Sequence, residues 1–284
     1  MSARCAGGVT LVELLVALVL GSVVLGAAGQ VYLATERFLR LQSSVLEVHQ
    51  GLRAAMQVLS SDLRELDPTG GDIVGLGSDS ISIRATRGLE FVCAPPAPAS
   101  GRIVVRRGLS IGYRDPDPER DRVLVLREGD PASGDGIEWL DLGIASAGAS
   151  ATCVDGAPGT ELRLLGAGTS LDSVGIGAPV RWYERVVYRL YADETGAWWL
   201  GVRSWSAGAW AALSPVAGPL QPRTGMELSY FDASGAATAD PTRVARIRLM
   251  LRGVGSEPLP PAGRRSGPWV DSLATVVVPR NGRR

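Results

Sequence analysis

The chain has 284 residues, enough for one large or two small domains and for a core that needs no staple. Its 29 basic residues, all arginine, balance 29 acidic ones, so no global field draws it to nucleic acid or to an anionic membrane. Three cysteines, Cys5, Cys93 and Cys153, and one histidine, His49, exclude a disulfide framework, a structural zinc and a Ser/His/Asp triad.

Val9 to Ala28 reads VTLVELLVALVLGSVVLGAA, twenty residues with a single charge, Glu13. That is the length a helix needs to cross a bilayer core. The preceding MSARCAGG carries Arg4 and ends in two glycines. A secretory signal peptide places its small-residue cleavage site after the apolar run, whereas here the small residues come before it. A cut at this position removes the polar leader, Cys5 included, and keeps the apolar helix as an anchor. The positive leader holds that end in the cytoplasm and sends everything after Ala28 outward.

Glu13 is the anomaly in this run, because an ionised carboxylate in a membrane helix is costly. One reading is an ordinary signal anchor with a glutamate near the interface. The other is that cleavage frees an amine at Val9, four residues before Glu13, and that the carboxylate pairs with an amine in an assembly. Such a buried pair sets register more than it adds stability.

Gly7-Gly8 followed by VTLVELLVALVLGSVVL resembles the cleavage and methylation motif of type IV prepilins, a glycine, an aromatic residue and then TLxELLxxL. The resemblance implies that a prepilin peptidase cuts after Gly8, that Val9 becomes the N-methylated first residue, and that Glu13 is the assembly glutamate. Val9 stands where the family commonly has phenylalanine. The implied partners are the peptidase, other pilin or pseudopilin subunits and an inner-membrane assembly platform. The implied location is a single pass of the bacterial inner membrane with the leader cytoplasmic, then a surface or periplasmic fibre.

Beyond Ala28 the pattern becomes amphipathic. Phe38, Leu41, Val45, Val48, Leu52, Met56, Leu59, Leu63 and Leu66 recur every three or four residues as one helical stripe. Asp62 and several arginines and glutamates fall on the other faces, and His49 reads as a surface or packing residue. A helix from Val9 to Leu66 would run about 87 Å, with Gly26 and Gly29 as places for bending or melting. Asp67-Pro68-Thr69-Gly70-Gly71 ends it. The expected organisation is a leader at 1–8, a membrane or fibre-core half-helix at 9–29, an amphipathic half at 30–67 and a β-rich outer domain at 68–284.

From Ile73 short alternating segments follow, with strands expected at Ser80 to Arg84, Leu89 to Cys93, Ile103 to Arg107, Arg122 to Arg127, Glu161 to Leu165, Arg181 to Tyr191, Trp198 to Trp205, Met226 to Phe231, Arg243 to Arg252 and Ser272 to Val278. RVVYRLY, ADETGA and WWLGVRSW form the clearest hairpin. An antiparallel sheet lying on the helix gives an α+β fold. The layout is similar to that of large minor pilins of the PilW kind and of the J-type pseudopilin of type II secretion.

Candidate chemistry in this region is sparse. Asp115, Asp117, Glu119 and Asp121 place carboxylates at alternate positions and suggest either calcium or a solvated turn, with Pro116 and Pro118 stiffening the loop and Arg114, Arg120 and Arg122 neutralising it. The loop Glu128 to Gly136 is a similar case. Trp198, Trp199, Trp205 and Trp210 form either a ligand-binding surface or cross-strand pairs. Cys93 and Cys153 fall on the oxidising side, and a bridge between them would contribute about 4 kcal/mol. With no catalytic constellation, metal or cofactor motif, the expectation is a non-enzymatic fibre subunit, a minor pilin or pseudopilin near the tip. The alternative is a signal-anchored extracytoplasmic binding protein or enzyme.

Overall fold

The computed structural model describes residues 10–108, 111–112, 114–129, 136–258 and 268–280. One helix, α1 (Leu11–Arg64), precedes strands β1 (Ile73–Leu76), β2 (Ser80–Ala97), β3 (Arg102–Arg106), β4 (Ile111–Gly112), β5 (Asp121–Arg127), β6 (Glu138–Thr152) and β7 (Pro158–Leu165). Then come β8 (Pro179–Ala192), β9 (Trp198–Ser206), β10 (Ala209–Trp210), β11 (Ser214–Leu220), β12 (Met226–Phe231), β13 (Arg246–Pro258) and β14 (Pro268–Val277). Every named strand pairing is antiparallel, and the class is α+β. All ten expected strands are present, and β2 joins two of them into one long strand.

The chain divides into two compact units, 1–49 with 255–269 and 50–254 with 270–284. In the first, α1 leaves its apolar side chains bare, with Leu11 at 80% and Phe38 still at 58% exposure. Phe38 therefore does not join the buried stripe, which in this unit is limited to Ser44 and Val48. His49 packs on Trp269, the ring centroids 5.6 Å apart. A Cβ on Gly255 would come within 3.1 Å of Ser44 Oγ and 3.3 Å of Trp269, so the absence of a side chain permits the close approach. Gly26 and Gly29 do not melt the helix, which runs unbroken through both positions.

In the second unit the buried stripe runs Leu52, Ala55, Met56, Leu59, Leu63 and Leu66. Leu59 and Leu63 lose all solvent contact, so truncating either to alanine would cost about 2–5 kcal/mol. Asp62, expected on a wet face, is buried and bonded to Tyr188 of β8 and Arg87 of β2, which fixes this half of α1 against those strands. Gly51 lets the helix approach β11, since a Cβ there would sit 3.2 Å from the Gly218 carbonyl.

The sheet is not simply open. Pairings run β2, β3, β7, β6, β5, β8 and return from β8 to β2, closing six strands into a ring. Val92, Ile103, Val105, Val123, Val125, Leu142, Leu162 and Val180 form one buried cluster of these strands. Trp182 lies over Gly88, where an added Cβ would fall 1.9 Å from the indole. From β8 the sheet continues through β9, β11, β13 and β12.

Candidate functional site

The helix start carries the first candidate. Gly8 and Val9, the expected cleavage and methylation positions, lie outside the described residues, as does Cys5. Thr10 precedes the first helical residue and Glu13 is the third residue of the first turn. The Thr10 backbone N–H donates to Glu13 Oε2 at 3.4 Å, and the Glu13 N–H donates to Thr10 Oγ1 at 3.3 Å. This reciprocal capping box satisfies two of the amides that a helix N-terminus leaves open, and the carboxylate also complements the helix dipole. The motif is readable as T-x-x-E before an apolar run, and the sequence reading missed it. The following residues to Leu25 are exposed, making a helix long and apolar enough to cross a membrane.

The second candidate is the pair Cys93 and Cys153, which form a disulfide with Cα atoms 5.0 Å apart. Both sulfurs are buried beside Val104. The bridge joins β2 to the turn between β6 and β7, where Val154 N–H donates to the Cys93 carbonyl and Arg106 pairs with Asp155. The structure therefore contains the expected bridge.

The acidic loop is organised inward. Asp121 is fully enclosed, takes a two-pronged hydrogen bond from Arg114, and accepts from Asp117 N–H at 2.8 Å. Asp117 in turn accepts from Glu119 N–H at 3.0 Å. Asp115, Asp117, Glu119 and Asp121 do not converge, and the described residues contain no metal-sized cluster of three such ligands. The Asp121 oxygens are both taken by the Arg114 guanidinium. Most of the loop 128–136 lies outside the described residues.

Two polar networks, the first buried and the second half-buried, escaped the sequence reading. In the first, Arg87 donates to Asp62 and Glu184, while Arg120 also reaches Glu184 at 2.7 Å. Burial alone would raise the Glu184 carboxyl, but hydrogen bonds from Arg87 and Arg120 more than offset it and hold it below the ordinary value. Burial and Asp62 push the Tyr188 phenol well up. In the second, Asp141 accepts from Arg122 and Tyr183 and lies 3.4 Å from Arg84, and burial with Asp141 raises the Tyr183 phenol to about 12.

Glu90 stands apart. It is 7% exposed and borders a cavity of about 280 Å³ with Asp115 and Arg107. Burial first, then the Asp115 charge, raise its carboxyl to about 7 against the pull of Arg107.

The four tryptophans divide. Trp205 and Trp210 are directly opposed on β9 and β10 in an edge-to-face pair 5.4 Å apart, and Trp199 donates its indole N–H to Asp193 at 2.8 Å.

A family model described as a prokaryotic N-terminal methylation motif matches residues 3–29. No curated protein and no solved structure matches the chain. The N-terminal region is thus that of a type IV prepilin-like precursor, and the one such helix among the described residues fits a single-pass anchor.

Proposed function

We propose that this protein is a minor pilin or pseudopilin, a non-catalytic subunit cut after Gly8 by prepilin peptidase and built into a type IV pilus-like fibre at or near its tip. The observation that carries the reading is Glu13 in the first turn of a bare apolar helix, inside the matched methylation motif. In this reading α1 occupies the membrane first and the fibre core afterwards, while the disulfide-bridged β unit stays outside the cytoplasm. A bare helix of this kind is stable only in lipid or among other apolar helices, and one carboxylate near its end is tolerated if an amine meets it.

Mass spectrometry of the protein recovered from the envelope of its host tests this. The expected mature chain begins at an N-methylated Val9. Replacing Gly8 with leucine should leave the full-length precursor in the membrane. A mature N-terminus at any other residue, or unimpaired cutting of Gly8→Leu, would overturn the proposal.

A further inference from the structure

The two faces of β8 differ in chemistry. Glu184 and Tyr188 turn toward α1, where they meet Arg87 and Asp62. Strand alternation sends Arg185, Val187 and Arg189 to the opposite face. There the register places Arg203 of β9 beside Val187, with Trp205 two residues further along and Trp210 of β10 opposite it.

These residues form a layered basic surface. The Arg185 guanidinium lies 4.6 Å from the centre of the Trp205 ring and 5.7 Å from that of Trp210, while Arg203 lies 5.0 Å over Trp210. Nearby arginines have carboxylates, Arg84 and Arg122 sharing Asp141 and Arg181 meeting Asp72. Arg185, Arg189 and Arg203 have none among the described residues, and the buried Nε of Arg203 has no hydrogen-bond partner there. Zero net charge rules out a global field, yet it leaves room for a local one.

A guanidinium stacked on an indole spends its face on the ring and keeps its N–H edges for an anion. Its outer plane, like the indoles themselves, accepts a flat ring in a stack. Arg185 and Arg189 lie about 13 Å apart along β8, and neighbouring strands are about 4.8 Å apart. The cations are therefore spread along a track, which suits a flexible chain of anions better than one compact anion. Phosphates alternating with planar bases meet both halves of this chemistry, and an open antiparallel sheet face is a surface on which such chains stack.

We propose that the Arg185, Arg189 and Arg203 face, with Trp205 and Trp210, binds single-stranded nucleic acid by its phosphates and stacked bases without reading sequence. This inference is independent of the fibre role.

The test uses the full chain in nonionic detergent and a fluorescein-labelled oligothymidylate of about 20 nucleotides, followed by anisotropy across a salt series. The unmodified protein should bind at about 50 mM salt and quench its tryptophan emission on binding. The triple variant R185Q/R189Q/R203Q should weaken binding at least about tenfold and make the salt dependence shallower by about 2 log units per log unit. Arg189→Gln alone, at an exposed position with no ring partner, should weaken it about twofold to threefold with unfolding unchanged. R106Q/R127Q/R163Q, which removes the same net charge elsewhere, should stay within about twofold of the unmodified protein. Three results overturn the proposal: no binding at low salt, full binding by the triple variant, or better competition by polygalacturonate or phosphatidylglycerol vesicles than by oligonucleotide. The last would assign the face to acidic polysaccharide or membrane instead.

Discussion

Thr10 and Glu13 cap one helix end reciprocally, each backbone amide donating to the other's side chain at 3.4 and 3.3 Å. Glu13 therefore has a local task, worth about 1 kcal/mol, besides the proposed pairing with an amine in the assembly. Two substitutions separate the tasks. Glu13→Gln keeps an acceptor oxygen for Thr10 and loses the charge, whereas Glu13→Val loses both. Both variants should be cut normally and both should be depleted from sheared fibres relative to the membrane fraction on immunoblots. If the glutamine variant enters fibres like the unmodified protein, the carboxylate acts as a cap alone and the charge-pairing role is wrong.

The Cys93–Cys153 bridge closes a separation of 60 residues. Chain-entropy reasoning assigns it about 4 kcal/mol, within the about 2–5 kcal/mol that removing native bridges from small secreted domains costs. The double variant Cys93→Ala/Cys153→Ala should lower the urea midpoint of the full chain in detergent by that much stability. It should also leave the β unit refoldable, because Val104 and the Cys153 amide bonded to Ala157 still hold the site. Thiol labelling of denatured, unreduced protein from the envelope should find both cysteines blocked; two free thiols would remove the bridge from the account.

Asp62 anchors the lower half of α1 through Tyr188 at 2.7 Å and Arg87 at 3.2 Å. Asp62→Ala leaves a buried hydroxyl and part of a buried guanidinium unpaired, although Arg87 keeps Glu184. The expected loss is about 2–4 kcal/mol, against about 1 kcal/mol for Tyr188→Phe. Urea unfolding of both variants decides it, and an Asp62→Ala loss no larger than that of Tyr188→Phe would show that the ion pair adds nothing.

What could be read in advance follows from how local each signal is. The helix, the hairpin across β8 and β9 and the antiparallel class were legible from period and turn residues within short windows. β6 was not, because its second half, IASAGASAT, has little side-chain bulk and becomes a strand through pairing with β7 on one edge and, further up, β5 on the other. β11 was masked by Pro215 and Pro219, residues that argue against a strand interior. Ring closure depends on β2 meeting β8 about a hundred residues later, which no local pattern encodes. Asp62 looked solvated because its partners, Arg87 and Tyr188, are distant in sequence. Thr10, by contrast, is a local signal, because T-x-x-E ahead of an apolar run lies within four residues.

Glu90 makes stability depend on pH in a defined direction. Its carboxyl is raised to about 7 by burial and by Asp115, with Arg107 opposing, whereas the unfolded chain titrates near the ordinary glutamate value. Between those two values the folded state holds a proton that the unfolded state has released, so stability falls as pH rises from about 4.5 to about 7 and is level above. The full excursion is on the order of 3 kcal/mol, reduced by whatever water enters the adjoining cavity. Glu90→Gln keeps the volume and removes the titration, so it should stabilise the protein by about 1–3 kcal/mol at pH 8 and leave it unchanged near pH 4.5. Unfolding midpoints for both proteins across that range test the assignment. Parallel pH profiles would mean that Glu90 ionises freely in the folded protein, with Arg107 or entering water outweighing both burial and Asp115.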